Sequence, residues 1–161
     1  MLEITSASAE ETRELGRLLG RLLATGDLLA LEGDLGSGKT TLVQGIAAGW
    51  GSPDRVTSPT FVLINVYRQD GQRLYHMDAY RLGGPAEAVD LDLDACLETG
   101  PLVVEWADRI REALPDRFLQ VRLSWLDAGQ RQLALIPHGR HYRAQLERFD
   151  RLQRARQPAG N

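Results

Sequence analysis

Apolar positions recur along this chain at two spacings, a helical one and a strict alternation, and clusters of Gly, Pro, Asp and Asn separate the segments. Leu2 to Thr5 reads as a short edge strand. Ser8 stands three residues before Glu11, a capping-box spacing, and Leu15, Leu18, Leu19, Leu22 and Leu23 follow at helical intervals. An amphipathic helix ending near Gly26 is predicted, its leucines packed on a sheet. Leu28-Leu29-Ala30-Leu31-Glu32 is an apolar run of the kind a buried parallel strand needs. After a glycine-rich stretch, Leu42, Val43 and Ile46 share one face of a second helix, from Thr40 to Ala48, which Gly49, Gly51 and Pro53 end.

The second half alternates more strongly. Phe61 to Tyr67 and Arg73 to Asp78 read as strands joined through Gln69-Asp70-Gly71-Gln72, whose Asp-Gly pair signals a hairpin. A simple strand-helix alternation would not contain that antiparallel pair. Pro85 suits the first turn of a helix from Ala86 to Leu97, with Glu87, Asp90, Asp92, Asp94 and Glu98 as a solvated face or a partner surface. Pro101 to Trp106 is another buried strand, followed by a short helix from Ala107 to Leu114. Phe118 to Trp125 and Gln132 to Ile136 form a second hairpin through Asp127-Ala128-Gly129-Gln130, and a helix from His141 to Arg154 closes the pattern. The expected fold class is α/β, a P-loop NTPase fold with a mixed central sheet containing antiparallel hairpins and flanked by helices. Residues 1–140 form the domain, and residues 141–161 a basic C-terminal helix and loose tail.

The stretch Gly33-Asp34-Leu35-Gly36-Ser37-Gly38-Lys39-Thr40 fits the phosphate-binding pattern G-x-x-x-x-G-K-[ST], and it lies between a predicted strand and a predicted helix, as that motif requires. Its glycines let successive backbone N–H groups turn inward, toward the same point as the positive end of the helix that follows. Of the 19 Lys and Arg residues, Lys39 is the one lysine, a slim ammonium where a planar guanidinium would not fit between backbone and phosphate. A phosphate-binding role is therefore expected for Gly33 to Thr40 together with Thr41.

Hydrolysis also needs a metal ion and a group that orients water. Thr40 supplies a hydroxyl for magnesium. Glu105 ends the apolar run Leu102-Val103-Val104 and Asp78 ends the strand before it: Glu105 is favoured as the metal ligand and Asp78 for positioning water or in the outer metal shell, and the two assignments could swap. Thr60 or Ser58, in the polar segment Thr57-Ser58-Pro59-Thr60, is placed to sense a γ-phosphate.

Composition narrows the class. At 161 residues with 43% hydrophobic content, the chain suits one well-buried domain. A net charge of −3 excludes bulk electrostatic coating of nucleic acid but leaves room for a local basic patch. Arg140, Arg143, Arg148, Arg151, Arg154 and Arg156 outnumber Glu147 and Asp150 in the last helix, as on a solvated face or a contact with a partner or RNA. Cys96 is alone, so neither an intrachain disulfide nor a cysteine-rich metal site is expected. No leader or bilayer-spanning run is legible, and a cytoplasmic location is the expectation.

Four linked motifs then make the reading specific: Gly33 to Thr41, Ser58-Pro59-Thr60-Phe61, His76-Met77-Asp78-Ala79-Tyr80-Arg81-Leu82 and Val104-Glu105-Trp106. In this order and spacing the chain resembles the TsaE family, bacterial P-loop ATPases of tRNA threonylcarbamoyladenosine modification, from about Ser8 to Gly139. The resemblance implies weak ATP hydrolysis that resets a TsaB–TsaD complex, with contact to the tRNA left open. It also implies magnesium at Thr40 and Glu105, a requirement for Asp78 in hydrolysis, a switch-like role for Ser58-Pro59-Thr60, and adenine near Ala9 to Thr12 and Gly129 to Arg131. Trp106 matches the tryptophan after the acid. Ser37 departs from the family's usual alanine, and the arginine-rich end has no matching motif. The competing readings are an ATP-gated assembly module that does not hydrolyse and a small-molecule kinase, the latter opposed by the scatter of Arg81 and Arg109.

Overall fold

The computed structural model describes residues 1–59 and 63–158. Seven strands form one mixed sheet in the order β1-β7-β6-β2-β5-β4-β3. They are β1 (Leu2–Ser6), β2 (Leu28–Glu32), β3 (Ile64–Gln69), β4 (Gln72–Asp78), β5 (Leu102–Glu105), β6 (Phe118–Trp125) and β7 (Arg131–His138). In the middle, β2 runs parallel to both β5 and β6, and β4 runs parallel to β5. Both predicted hairpins are present, β3 with β4 and β6 with β7, and β1 adds antiparallel to β7. The expected fold class holds: a mixed sheet with antiparallel hairpins and helices on both faces.

Period-two alternation in the buried strands supplies two cores. Leu29 and Leu31 face the helices α1 (Ala9–Leu22), α2 (Lys39–Trp50) and α5 (Arg140–Arg156), with Leu19, Ile46 and Phe149 among the packed residues. Leu28 and Ala30 face the opposite side, where Met77, Val104, Ile110 and Leu114 pack under α3 (Pro85–Val89), α4 (Leu93–Thr99) and the 3-10 helix Ala107–Ala113. All five residues of β2 are buried, as a strand covered on both faces must be.

The capping box at α1 forms with one change: Glu11 N–H donates to Ser8 Oγ at 3.1 Å, while the Glu11 carboxylate accepts from Ala7 N–H at 2.7 Å, one residue before the cap. The helix ends at Leu22, before the expected Gly26. The single helix expected from Ala86 to Leu97 is two short ones. Asp92, at φ 50°, breaks the path and its carboxylate caps α4 by accepting from Ala95 N–H at 3.3 Å. A short acid that bonds its own backbone competes with helix continuation. After β5, the chain turns through Trp106, at φ 59°, into a 3-10 rather than an α-helix.

The C-terminal α5 is tied to the central strand. Tyr142 Oη accepts from Leu28 N–H at 2.9 Å, and Gln145 Nε2 donates to the buried Asp27 carboxylate at 2.9 Å. His141 meets the same carboxylate at 2.7 Å. The arginines of α5 lie on its exposed side, Arg154 paired with Asp150 and Arg156 with Glu14 of α1.

Helices α1 and α2 approach so closely that a Cβ at Gly45 would overlap the carbonyl oxygen of Arg13, and one at Gly20 the carbonyl oxygen of Ile46. Alanine is intrinsically better than glycine inside a helix by about 1 kcal/mol. Overlap with a backbone oxygen, which cannot swing aside, outweighs that gain: Gly45→Ala is expected to lower stability by about 1–3 kcal/mol in urea denaturation. A stabilised Gly45→Ala would contradict the close approach.

Candidate functional site

The loop between β2 and α2 turns through Gly33, Gly36 and Gly38, at φ 150°, 78° and 104°, which is backbone that side chains resist. Helix α2 opens at Gly38 with no side-chain cap and no acid in its first turn. Its first amides and the positive end of its dipole therefore face the loop, an arrangement suited to an anion, and no acid of the helix's own first turn offsets them.

Lys39 is folded back over the loop. Its ammonium donates to the carbonyl oxygens of Gly33 at 2.6 Å and Asp34 at 2.9 Å and to Ser37 Oγ at 3.3 Å, and sits 4.1 Å from the Trp106 ring centre. Burial holds its pKa below the ordinary lysine value, with Glu105 and Asp78 pulling the other way.

Across the loop, Thr40 Oγ donates to Glu105 Oε1 at 3.0 Å. Glu105 is 3% exposed, and its other oxygen lies 2.5 Å from His76 Nε2. Asp78 sits beside Glu105 in the parallel ladder. One of its oxygens accepts from Tyr80 N–H at 2.8 Å, the other from Ser58 Oγ at 3.4 Å. Lys39, Thr40, Thr41, Ser58, Asp78 and Glu105 line one cleft of about 370 Å³, with Leu35, Gly36, Gly38, Tyr80, Trp106 and Arg131 completing its wall. Thr60 lies outside the described residues.

A larger hollow of about 510 Å³ lies on the other side of the loop, against Gly33, Asp34, Trp106, Asp108 and Trp125. Neither Thr40 nor Glu105 lines it, nor does the start of α2. The smaller cleft is where the chemistry converges. Among the described residues no group of three or more His, Cys, Asp or Glu is arranged to hold a metal ion. A hydroxyl and one carboxylate in contact suit magnesium, which prefers hard oxygens and keeps most of its coordination for water and phosphate.

Arg131 donates to Gly36 O at 3.4 Å and lines the cleft, whereas none of Ala9 to Thr12 does, and Thr12 is buried against Ser6 at 2.7 Å. Arg109 stacks 5.0 Å from the Tyr80 ring, which in turn lies 4.9 Å from Trp106. Two residues given no role from the sequence belong to the site. His76 is fully buried behind Glu105, and Tyr67 Oη lies 2.8 Å from its Nδ1. The signal available was alternation: Leu74, His76 and Asp78 must share one face of β4.

A family model described as "Threonylcarbamoyl adenosine biosynthesis protein TsaE" matches residues 6–133. Among relatives carrying the name tRNA threonylcarbamoyladenosine biosynthesis protein TsaE, one from Nostoc sp. is 42% identical, covering 85% of this chain and 86% of its own. One from Bacillus subtilis is 38% identical over 93% of this chain and 94% of its own. A solved structure, that of Bacillus subtilis YdiB, superposes with a TM-score of 0.82 at 33% identity, covering 94% of this chain and 95% of the other. The match spans the glycine-rich loop, both strand-end acids and the sheet that aligns them, and the chain belongs to the TsaE family of tRNA threonylcarbamoyladenosine biosynthesis proteins.

Proposed function

We propose that this protein binds ATP with magnesium in the cleft beside Gly33–Thr41 and hydrolyses it slowly, and that hydrolysis resets or regulates a TsaB–TsaD-like transferase complex acting on tRNA. The observation that carries the reading is the 3.0 Å contact between Thr40 Oγ and Glu105 Oε1, beside the uncapped start of α2 and the ammonium of Lys39. Phosphates would lie along the loop amides, with Lys39 exchanging its carbonyl partners for phosphate oxygens. Charge favours a cation beside the phosphates: Glu105 and Asp78 line the cleft with Lys39 and Arg131, so the two carboxylates offset the two basic side chains and leave the triphosphate's own charge to be neutralised. Thr40 and Glu105 are the residues that would hold magnesium, whose chemistry is to neutralise the phosphate oxygens. Asp78 would accept a hydrogen bond from water and turn the water oxygen toward the terminal phosphorus; the new bond from that oxygen to phosphorus forms as the bond to the bridging oxygen breaks, and the water's protons pass to the released phosphate and solvent, leaving ADP. Both oxygens of Asp78 already accept one bond each, and a carboxylate has further lone pairs for the water.

The deciding experiment measures phosphate release with and without the TsaB–TsaD pair. Glu105→Ala and Asp78→Ala are each expected to lower partner-stimulated release about a hundredfold or more while still binding ATP. Lys39→Ala is expected to lose ATP binding itself. If both acid variants bind ATP normally and leave release unchanged under every partner condition, the protein is a binding module and not a hydrolase.

Lys39 also yields a pH test. Phosphate favours the charged ammonium, so the lysine's pKa is higher in the complex than in the free protein, where burial depresses it. Affinity for ATP is then full below the free-protein pKa and falls as pH rises through it. Calorimetry of ATP binding in buffers of different ionisation enthalpy is expected to find proton uptake that grows as pH rises through the free-protein pKa of Lys39; an affinity that does not fall over that range would contradict the lysine–phosphate contact.

A further inference from the structure

The reading of the cleft leaves a buried chain of polar groups without a task. Behind Glu105 stand His76, fully buried, and Tyr67, 3% exposed. Tyr67 Oη lies 2.8 Å from His76 Nδ1, His76 Nε2 lies 2.5 Å from Glu105 Oε2, and Glu105 Oε1 receives the Thr40 hydroxyl at 3.0 Å. Tyr67 has one hydroxyl hydrogen, directed here to His76 Nδ1, and the carbonyl oxygen of Thr57, 3.4 Å from Tyr67 Oη, takes its bond from Asn65 Nδ2 at 3.1 Å. Next in the chain is Ser58, whose hydroxyl reaches Asp78.

Packing alone does not call for these residues. Two positions earlier on the same face of β4, Leu74 is fully buried among apolar neighbours, and an aliphatic side chain at position 76 would escape the cost of burying an imidazole. A carboxylate oxygen only accepts, so Nε2 carries the hydrogen of its bond to Glu105 and takes one of the two oxygens out of play. The other is left facing Thr40. The free rotation of the carboxylate about its last bond is thereby removed.

We propose that His76 is a positioning residue which, with Tyr67, holds Glu105 in the orientation that serves a magnesium ion. The Tyr67 hydroxyl fixes the imidazole, and the imidazole fixes the carboxylate. The assignment rests on the reading of the cleft as a magnesium–ATP site. Groups that orient a metal-binding carboxylate change metal affinity by roughly 10- to 100-fold when removed.

The test is the factor by which magnesium strengthens ATP binding, measured by calorimetry in EDTA and across a magnesium titration, with folding of each variant checked by circular dichroism. ATP affinity in EDTA is expected to stay within about twofold of wild type in every variant, since the loop and Lys39 are untouched. The magnesium enhancement is expected to fall about tenfold or more in His76→Leu. Tyr67→Phe, which deletes one oxygen and keeps the ring, should lose several-fold. His76→Gln, which can still donate to Glu105, should recover most of the loss; a merely structural histidine would show no such rescue. Wild-type enhancement in a folded His76→Leu overturns the proposal, and if that variant does not fold, wild-type enhancement in Tyr67→Phe does so. If the wild-type protein itself gains nothing from magnesium, the reading of the cleft fails and this assignment with it; a wild-type gain that the variants keep sinks only the role given to His76.

Discussion

Strands β4, β5 and β2 run in one direction and end at one edge of the sheet, with Asp78 level with Glu105 and Glu105 level with Leu31. Parallel pairing is what lets three chain segments far apart in sequence deliver their last residues to one place, since parallel strands present their C-terminal ends together. Reversing β5 would send Glu105 to the opposite edge. The glycine-rich loop leaves β2 at this same edge, and α2 returns over the face that carries His76 and Asp78. The site is thus a product of strand direction before it is a product of side-chain choice.

The two faces of the sheet are treated differently. Beneath the 3-10 helix the strand ends are apolar, with Met77, Ala79 and Val104 fully buried. On the α2 face, one residue away along each strand, His76, Asp78 and Glu105 replace them, at 0%, 9% and 3% exposure. Burying an acid is tolerable where each of its oxygens finds a donor, and here Thr40, His76, Ser58 and the Tyr80 amide supply one to each oxygen of Glu105 and Asp78. One face is built for stability, and the other accepts a cost for chemistry.

Local signals carried much of this in the sequence. The loop pattern, the Asp-Gly hairpin at Asp70-Gly71, the capping of α1 at Ser8 and the buried run of β2 all depend on residues within a few positions of each other. What escaped depends on distance or on competition. The pairing of β1 with β7 joins the two ends of the chain, and no local period encodes it. The break at Asp92 is a contest between helix continuation and a local carboxylate bond, and a pattern of apolar spacing cannot decide it. His76 and Tyr67 touch only because β3 and β4 fold into a hairpin, and His76 reaches Glu105 only because β4 lies beside β5. The close packing of α1 on α2 was written in glycines four apart, Gly16 with Gly20 and Gly45 with Gly49, a spacing that becomes informative once the two helices are known to meet.

The bond between Leu28 N–H and Tyr142 Oη bears on the order in which the molecule is completed. Leu28 begins the strand from which the glycine-rich loop departs, yet its partner lies 114 residues later. On the ribosome, β2, the loop and α2 emerge early, but the first amide of β2 cannot meet this partner, nor Asp27 its contacts with His141 and Gln145, until α5 has been synthesised. An unfinished chain therefore carries the complete loop sequence on a strand whose first amide and whose preceding acid still lack these partners.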